Sequence, residues 1–94
     1  MEIMNYEILY HADVVNKDIK SLGEPDKKLI KDTIEKKLLK TPEVYGKPLR
    51  TSLKNYRKLR VGDFRVIFRI TKKQINIFAI LHRSVVYKNV SRRQ

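Results

Sequence analysis

The chain has 94 residues, a formal net charge of +12 and no cysteine. That length allows one domain with one modest core, and the missing thiols exclude disulfides and thiolate metal sites. No apolar run approaches a membrane span, and the N-terminus lacks a basic start followed by an apolar stretch, so the expectation is a soluble, cytoplasmic protein with no membrane partner.

The charge is divided sharply along the chain. Residues 1–46 carry eight lysines against nine acids, whereas residues 47–94 carry fourteen Lys and Arg, including all eight arginines, against Asp63 alone. One-sided excess of this kind marks a surface for a phosphate backbone or an acidic protein.

Taken in order, residues 5–10 (NYEILY) alternate and predict a first strand. From Ala12 to Leu22, Val15, Ile19 and Leu22 recur at helical spacing. Pro25 suits the first turn of a second helix, whose stripe is Leu29, Ile30, Ile34, Leu38 and Leu39 and which Thr41-Pro42 ends. Two helices so closely joined predict an antiparallel hairpin. Residues 43–52, with Gly46 and Pro48, read as a loop.

The period then changes to two. Residues 57–61 (RKLRV), 64–70 (FRVIFRI) and 75–81 (INIFAIL) predict three strands, with turns at Gly62-Asp63 and at residues 71–74. The third is the least alternating, hence the most buried. The expected fold class is α+β, an N-terminal strand and helix hairpin packed on an antiparallel sheet, in a single domain over residues 1–94. The far face of that sheet is expected to stay in solvent and to carry Lys58, Arg60, Arg65 and Arg69 together.

Residues 56–68 (YRKLRVGDFRVIF), with Leu81-His82-Arg83 and Val86-Tyr87 downstream and Pro48-Leu49 upstream, resemble the RelE/ParE toxins of type II toxin–antitoxin systems. The resemblance implies a fold of the microbial-ribonuclease type that docks in the ribosomal A site and cuts mRNA without metal, the RNA's own 2′-OH attacking the neighbouring phosphate. It implies that Lys58 and Arg60 are the family's basic pair, Arg65 the arginine after the turn, and Arg83 and Tyr87 the C-terminal pair. It also implies a cognate antitoxin with an acidic or partly disordered segment.

General chemistry leads to similar residues. Such cleavage needs a base for the 2′-OH, cations for the phosphorane and an acid for the 5′ oxygen. Arg65 and Arg83 suit the phosphate, since a guanidinium keeps its proton. His82 is the neighbour that titrates near neutrality, and Tyr87 suits proton donation or stacking. Lys47, Lys54, Arg57 and Arg69 are the further RNA-binding candidates. No cofactor or metal is expected: the basic half has one acid and one histidine. Nothing is expected of His11, and Asp63 reads as a turn residue. Two other functions fit the composition: a ParE-like toxin inhibiting DNA gyrase without nuclease activity, and a non-catalytic basic RNA- or ribosome-binding module.

Overall fold

A computed structural model describes residues 6–39, 47–48 and 55–86. Strand β1 (Glu7–Tyr10) leads into a first helical segment, a π-helical turn at Val14–Asp18 followed by a 3-10 turn at Ile19–Ser21. Helix α1 (Glu24–Thr33) follows and is prolonged by a second π-helical turn, Ile34–Leu38. The remaining elements are β2 (Lys47–Pro48), β3 (Tyr56–Val61), β4 (Phe64–Thr71) and β5 (Gln74–His82). Among the described residues no helix is long and apolar enough to cross a membrane.

The strands form one sheet in the order β1-β5-β4-β3-β2. The β3-β4-β5 meander is antiparallel, as its turns predict. The N-terminal strand joins it differently: β1 lies parallel to β5, with Ile8 opposite Ile75 and Tyr10 opposite Ile77. The sheet is therefore mixed: the helices carry the chain from β1 at one edge to β2 at the other, and the meander brings β5 back beside β1 in the same direction.

Pro25 lies in the first turn of α1, with Glu24 and Asp26 beside it at the positive end of the helix dipole. Ile30, Ile34 and Leu38 are buried four residues apart. Winding at 3.6 residues per turn would make such a row drift around the helix, and the wider i→i+5 turn at Ile34–Leu38 counters that drift. The same winding at Val14–Asp18 corrects the predicted stripe: Val14 and Asp18 turn inward, while Val15 is 48% exposed. Leu29, also assigned to a buried stripe by its spacing, is 51% exposed.

The main core joins Val14, Ile30, Ile34 and Leu38 to Leu59, Val61, Val66, Phe68, Ile75, Ile77 and Ile80 on the helix-facing side of the sheet. Asp18 is buried with them, and its Oδ2 accepts a hydrogen bond from the Ile80 amide at 2.9 Å. The β1 pairing ends at Ile77, so the β5 backbone beyond it needs another acceptor, and Asp18 supplies one. Replacing it by Ala strands a buried donor. Asp18→Ala should lose about 1–3 kcal/mol of stability in urea denaturation, with Asp18→Asn, which keeps an acceptor oxygen, losing less.

The β3–β4 turn needs Gly62, whose φ is +59°. With Asp63 at negative φ, the two-residue turn is of the II′ kind, which matches the twist of a hairpin. A Cβ on Gly62 would meet nothing within 4 Å. The expected loss for Gly62→Ala in thermal unfolding is therefore conformational alone, about 1–2 kcal/mol.

The far face of the sheet is not left to solvent as a whole, which corrects the expectation. Ile67 and Ala79 are fully buried there beneath Val86, with Tyr56, Phe78 and Leu81 packed around them. Val86, four residues past the end of β5, gives this face a small core of its own. The pairing of β4 with β5 slips between Ile67 and Phe68, which oppose Ala79 and Ile77, so Phe78 is an extra residue in a β-bulge. The bulge explains the broken alternation of residues 75–81 and brings Phe78 and Ala79 to the same face.

Candidate nucleic-acid interface

On the outer face, β3 and β4 run in register with Arg60 opposite Arg65, Lys58 opposite Ile67 and Tyr56 opposite Arg69. Lys58, Arg60, Arg65 and Arg69 therefore share this face, as the period of two predicts. Cross-strand like charges such as Arg60 and Arg65 repel by a fraction of a kilocalorie to about 1 kcal/mol. Arg65 eases this by turning to the hairpin: its Nη1 donates to the carbonyls of Gly62 at 3.0 Å and Phe64 at 2.9 Å. The guanidinium is thus held in place with donors left over.

Arg83 reaches the same end of the sheet. Its amide donates to the Asp63 carbonyl at 2.8 Å, and its Nε lies 3.8 Å from Asp63 Oδ1. Asp63, read from the sequence as a turn residue, also tethers Arg83 beside Arg65. Both partners are well exposed, so the pair positions the arginine and adds little stability. Arg65 and Arg83 are thus both held at this turn, with Arg60 opposite Arg65 in the ladder and Lys58 one position further along the face.

The other candidates are placed differently. His82 lies opposite Phe64 on the helix-facing side, their rings in edge contact at 5.7 Å. The structure does not bring it onto the face of Lys58, Arg60 and Arg65. Its Nδ1 accepts the Ser84 amide hydrogen at 3.2 Å and lies 2.9 Å from Ser84 Oγ, which leaves the neutral ring's proton on Nε2. Arg57, opposite Phe68, also alternates to the helix-facing side. Lys47 pairs with Lys58 in the β2–β3 ladder. Lys54 and Tyr87 lie outside the described residues.

Sequence reading missed an aromatic group on the outer face. The Phe78 ring lies 5.4 Å from that of His11 and 5.0 Å from that of Tyr56, and the Arg69 guanidinium stands 5.6 Å over the Tyr56 ring. These residues line a groove of about 260 Å³. The sequence signal was alternation itself, which sets Phe78 opposite in face to Ile75 and Ile77, while its lapse at Phe78-Ala79 marks the bulge. On the helix side, the Tyr10 phenol is pushed above its ordinary pKa by burial and, to a lesser degree, by the Glu35 carboxylate.

A short mixed sheet backed by two helical segments, with a strongly cationic outer face, defines the RelE/ParE class of toxins. Residues 9–87 match the family model of the ParE toxin of the type II toxin–antitoxin system parDE, and the chain belongs to this family. Solved structures share the fold, and three illustrate the likeness. The toxin–antitoxin complex RelBE2 of Mycobacterium tuberculosis superposes with a TM-score of 0.78 at 22% identity, over 88% of this chain and 97% of the other. A mutant of E. coli toxin RelE in the free state gives 0.71 at 20% identity over 96% and 98%. The archaeal RelE-RelB complex of Pyrococcus horikoshii gives 0.60 at 26% identity over 85% and 97%. No curated protein matches the sequence.

Proposed function

We propose that this toxin is a metal-independent, ribosome-dependent endoribonuclease that cuts mRNA in the A site. The observation that carries the reading is that Lys58, Arg60 and Arg65 share the outer face beside the β3–β4 turn, with Arg83 paired to Asp63 of that same turn. In the proposed step the 2′-hydroxyl gives its proton to water as its oxygen forms a bond to the adjacent phosphorus, and the bond from phosphorus to the 5′ oxygen breaks. The products are a 2′,3′-cyclic phosphate and a 5′-hydroxyl. Arg65 and Arg83 stabilise the charge that builds on the phosphorane oxygens, which suits guanidinium groups held in advance of the reaction. Lys58 is the member of the set with a proton to give to the departing 5′ oxygen. His82, on the other side of the sheet, is assigned no proton transfer, and Tyr87 keeps the role that the family resemblance implies.

The same face takes the cognate antitoxin in this reading, through an acidic or partly disordered segment that orders on binding. Solved relatives described as toxin–antitoxin complexes support such a partner.

The test is primer extension on message held in programmed ribosomes. The expected result is a new 5′ end within the A-site codon when the purified protein is added, and no such end on free message. Intact message overturns the proposal. The match to the ParE toxin model favours a second reading, inhibition of DNA gyrase without nuclease activity. Loss of gyrase supercoiling activity together with uncut message would establish it instead.

A further inference from the structure

We propose that the groove walled by His11, Tyr56, Phe78 and Arg69 holds one nucleobase of the bound strand by stacking, as a subsite separate from the cationic end. The inference rests on RNA being the ligand of the outer face, and it names a recognition element within it. Four strands build the groove in one cross-sheet row: Tyr56 on β3 lies opposite Arg69 on β4, Arg69 opposite Asn76 on β5, and Asn76 opposite Leu9 on β1. Phe78, two residues on from Asn76, faces the same side, and the β-bulge brings Ala79 to that face as well. Bulges recur beside functional sites, where they re-aim a side chain.

The composition of the groove favours a base. Tyr56 and Phe78 are partly exposed, so ring faces are offered to a ligand even though they also pack together. Arg69 is exposed above Tyr56, and a guanidinium plane stacks on bases as an aromatic ring does. Asn76, whose Nδ2 donates to Thr71 Oγ1 at 3.1 Å, adds an amide to the wall. At about 260 Å³ the groove falls below the ~300–1,000 Å³ of sites for larger ligands, which suits a single flat ring. Arg65 and Arg69 are four residues apart on β4, roughly 13 Å along an extended strand. A chain whose phosphate rests at Arg65 thus places a nearby base over the groove, with Lys58 between the two.

The test uses the full chain and a short fluorescent single-stranded RNA, intact or abasic at one position at a time. Wild type should bind one abasic oligonucleotide about five- to tenfold more weakly than the intact one, the scale of a lost base–aromatic stack. Phe78→Leu and His11→Ala, checked for unchanged thermal unfolding, should each bind the intact RNA as weakly as wild type binds that abasic one. Salt-sensitive binding that Arg65→Ala weakens but that no abasic position alters would overturn the groove while leaving the RNA reading intact. No binding to any oligonucleotide would overturn the groove, while cleavage in programmed ribosomes decides the RNA reading separately. Should the Phe78 and His11 variants lose affinity for a protein antitoxin and none for RNA, the groove takes a side chain of that partner and the proposal fails.

Discussion

Arg65→Ala should slow single-turnover cleavage of ribosome-bound message by about 10²- to 10³-fold, the usual effect of removing one pre-positioned donor from a site of developing negative charge. The side chain is held by the Gly62 and Phe64 carbonyls, so it stands ready and loses little freedom when phosphate arrives. Its removal leaves β4 without a packing defect, because Arg65 belongs to neither of the two core clusters. Thermal unfolding of the variant should therefore stay near wild type. Arg65→Lys retains the charge but not the forked donor geometry, and should recover only part of the rate. An Arg65→Ala protein that cuts at the wild-type rate would remove this residue from the proposed chemistry.

Phe68→Ala is the substitution expected to damage the fold most. Phe68 is fully buried in the middle of β4, between Arg57 on β3 and Ile77 on β5, and faces the helices. Deleting a buried ring of this size costs about 3–5 kcal/mol through lost transfer energy and the cavity left behind. A domain of this length has only some 5–10 kcal/mol in total, so the variant should unfold at much lower urea. Phe68→Leu keeps most of the volume and should shift the midpoint far less.

Much of this was legible from the sequence because a strand reports its faces directly. The alternation through residues 57–70 correctly placed Lys58, Arg60, Arg65 and Arg69 together, and Pro25 correctly marked the start of α1. The helices were harder to read. Val15 and Leu29 fit an ideal stripe, but local π winding and the sheet's demands put Val14 and Asp18 inside instead. Asp18 could not have been found as a buried residue from composition, since a carboxylate enters a core only when a specific donor awaits it, here the Ile80 amide.

The site was read in part for the same reason. Counting by twos carries one as far as a bulge, and beyond it the parity reverses. His82 therefore lies opposite Phe64 rather than beside Arg65, and Ala79 joins Phe78 on the outer face. The tether between Asp63 and Arg83 joins a turn to the end of a later strand, a pairing that no local pattern contains.

The parallel union of β1 with β5 also dictates the order in which the molecule can be completed. Glu7 and Gln74, which meet in that ladder, are 67 residues apart. The meander and α1 form from neighbours in sequence, but the first strand finds its place only after the last has been synthesised and paired. Closing so long a loop is an entropic cost met before its contacts can repay it, and topologies of this kind fold slowly. Ile75, Ile77 and Ile80 belong to that same last strand, so the helices have no finished surface to pack on until then. During its own synthesis the chain therefore lacks a finished core until β5 has emerged, although the hairpin that carries Lys58, Arg60, Arg65 and Arg69 is already local.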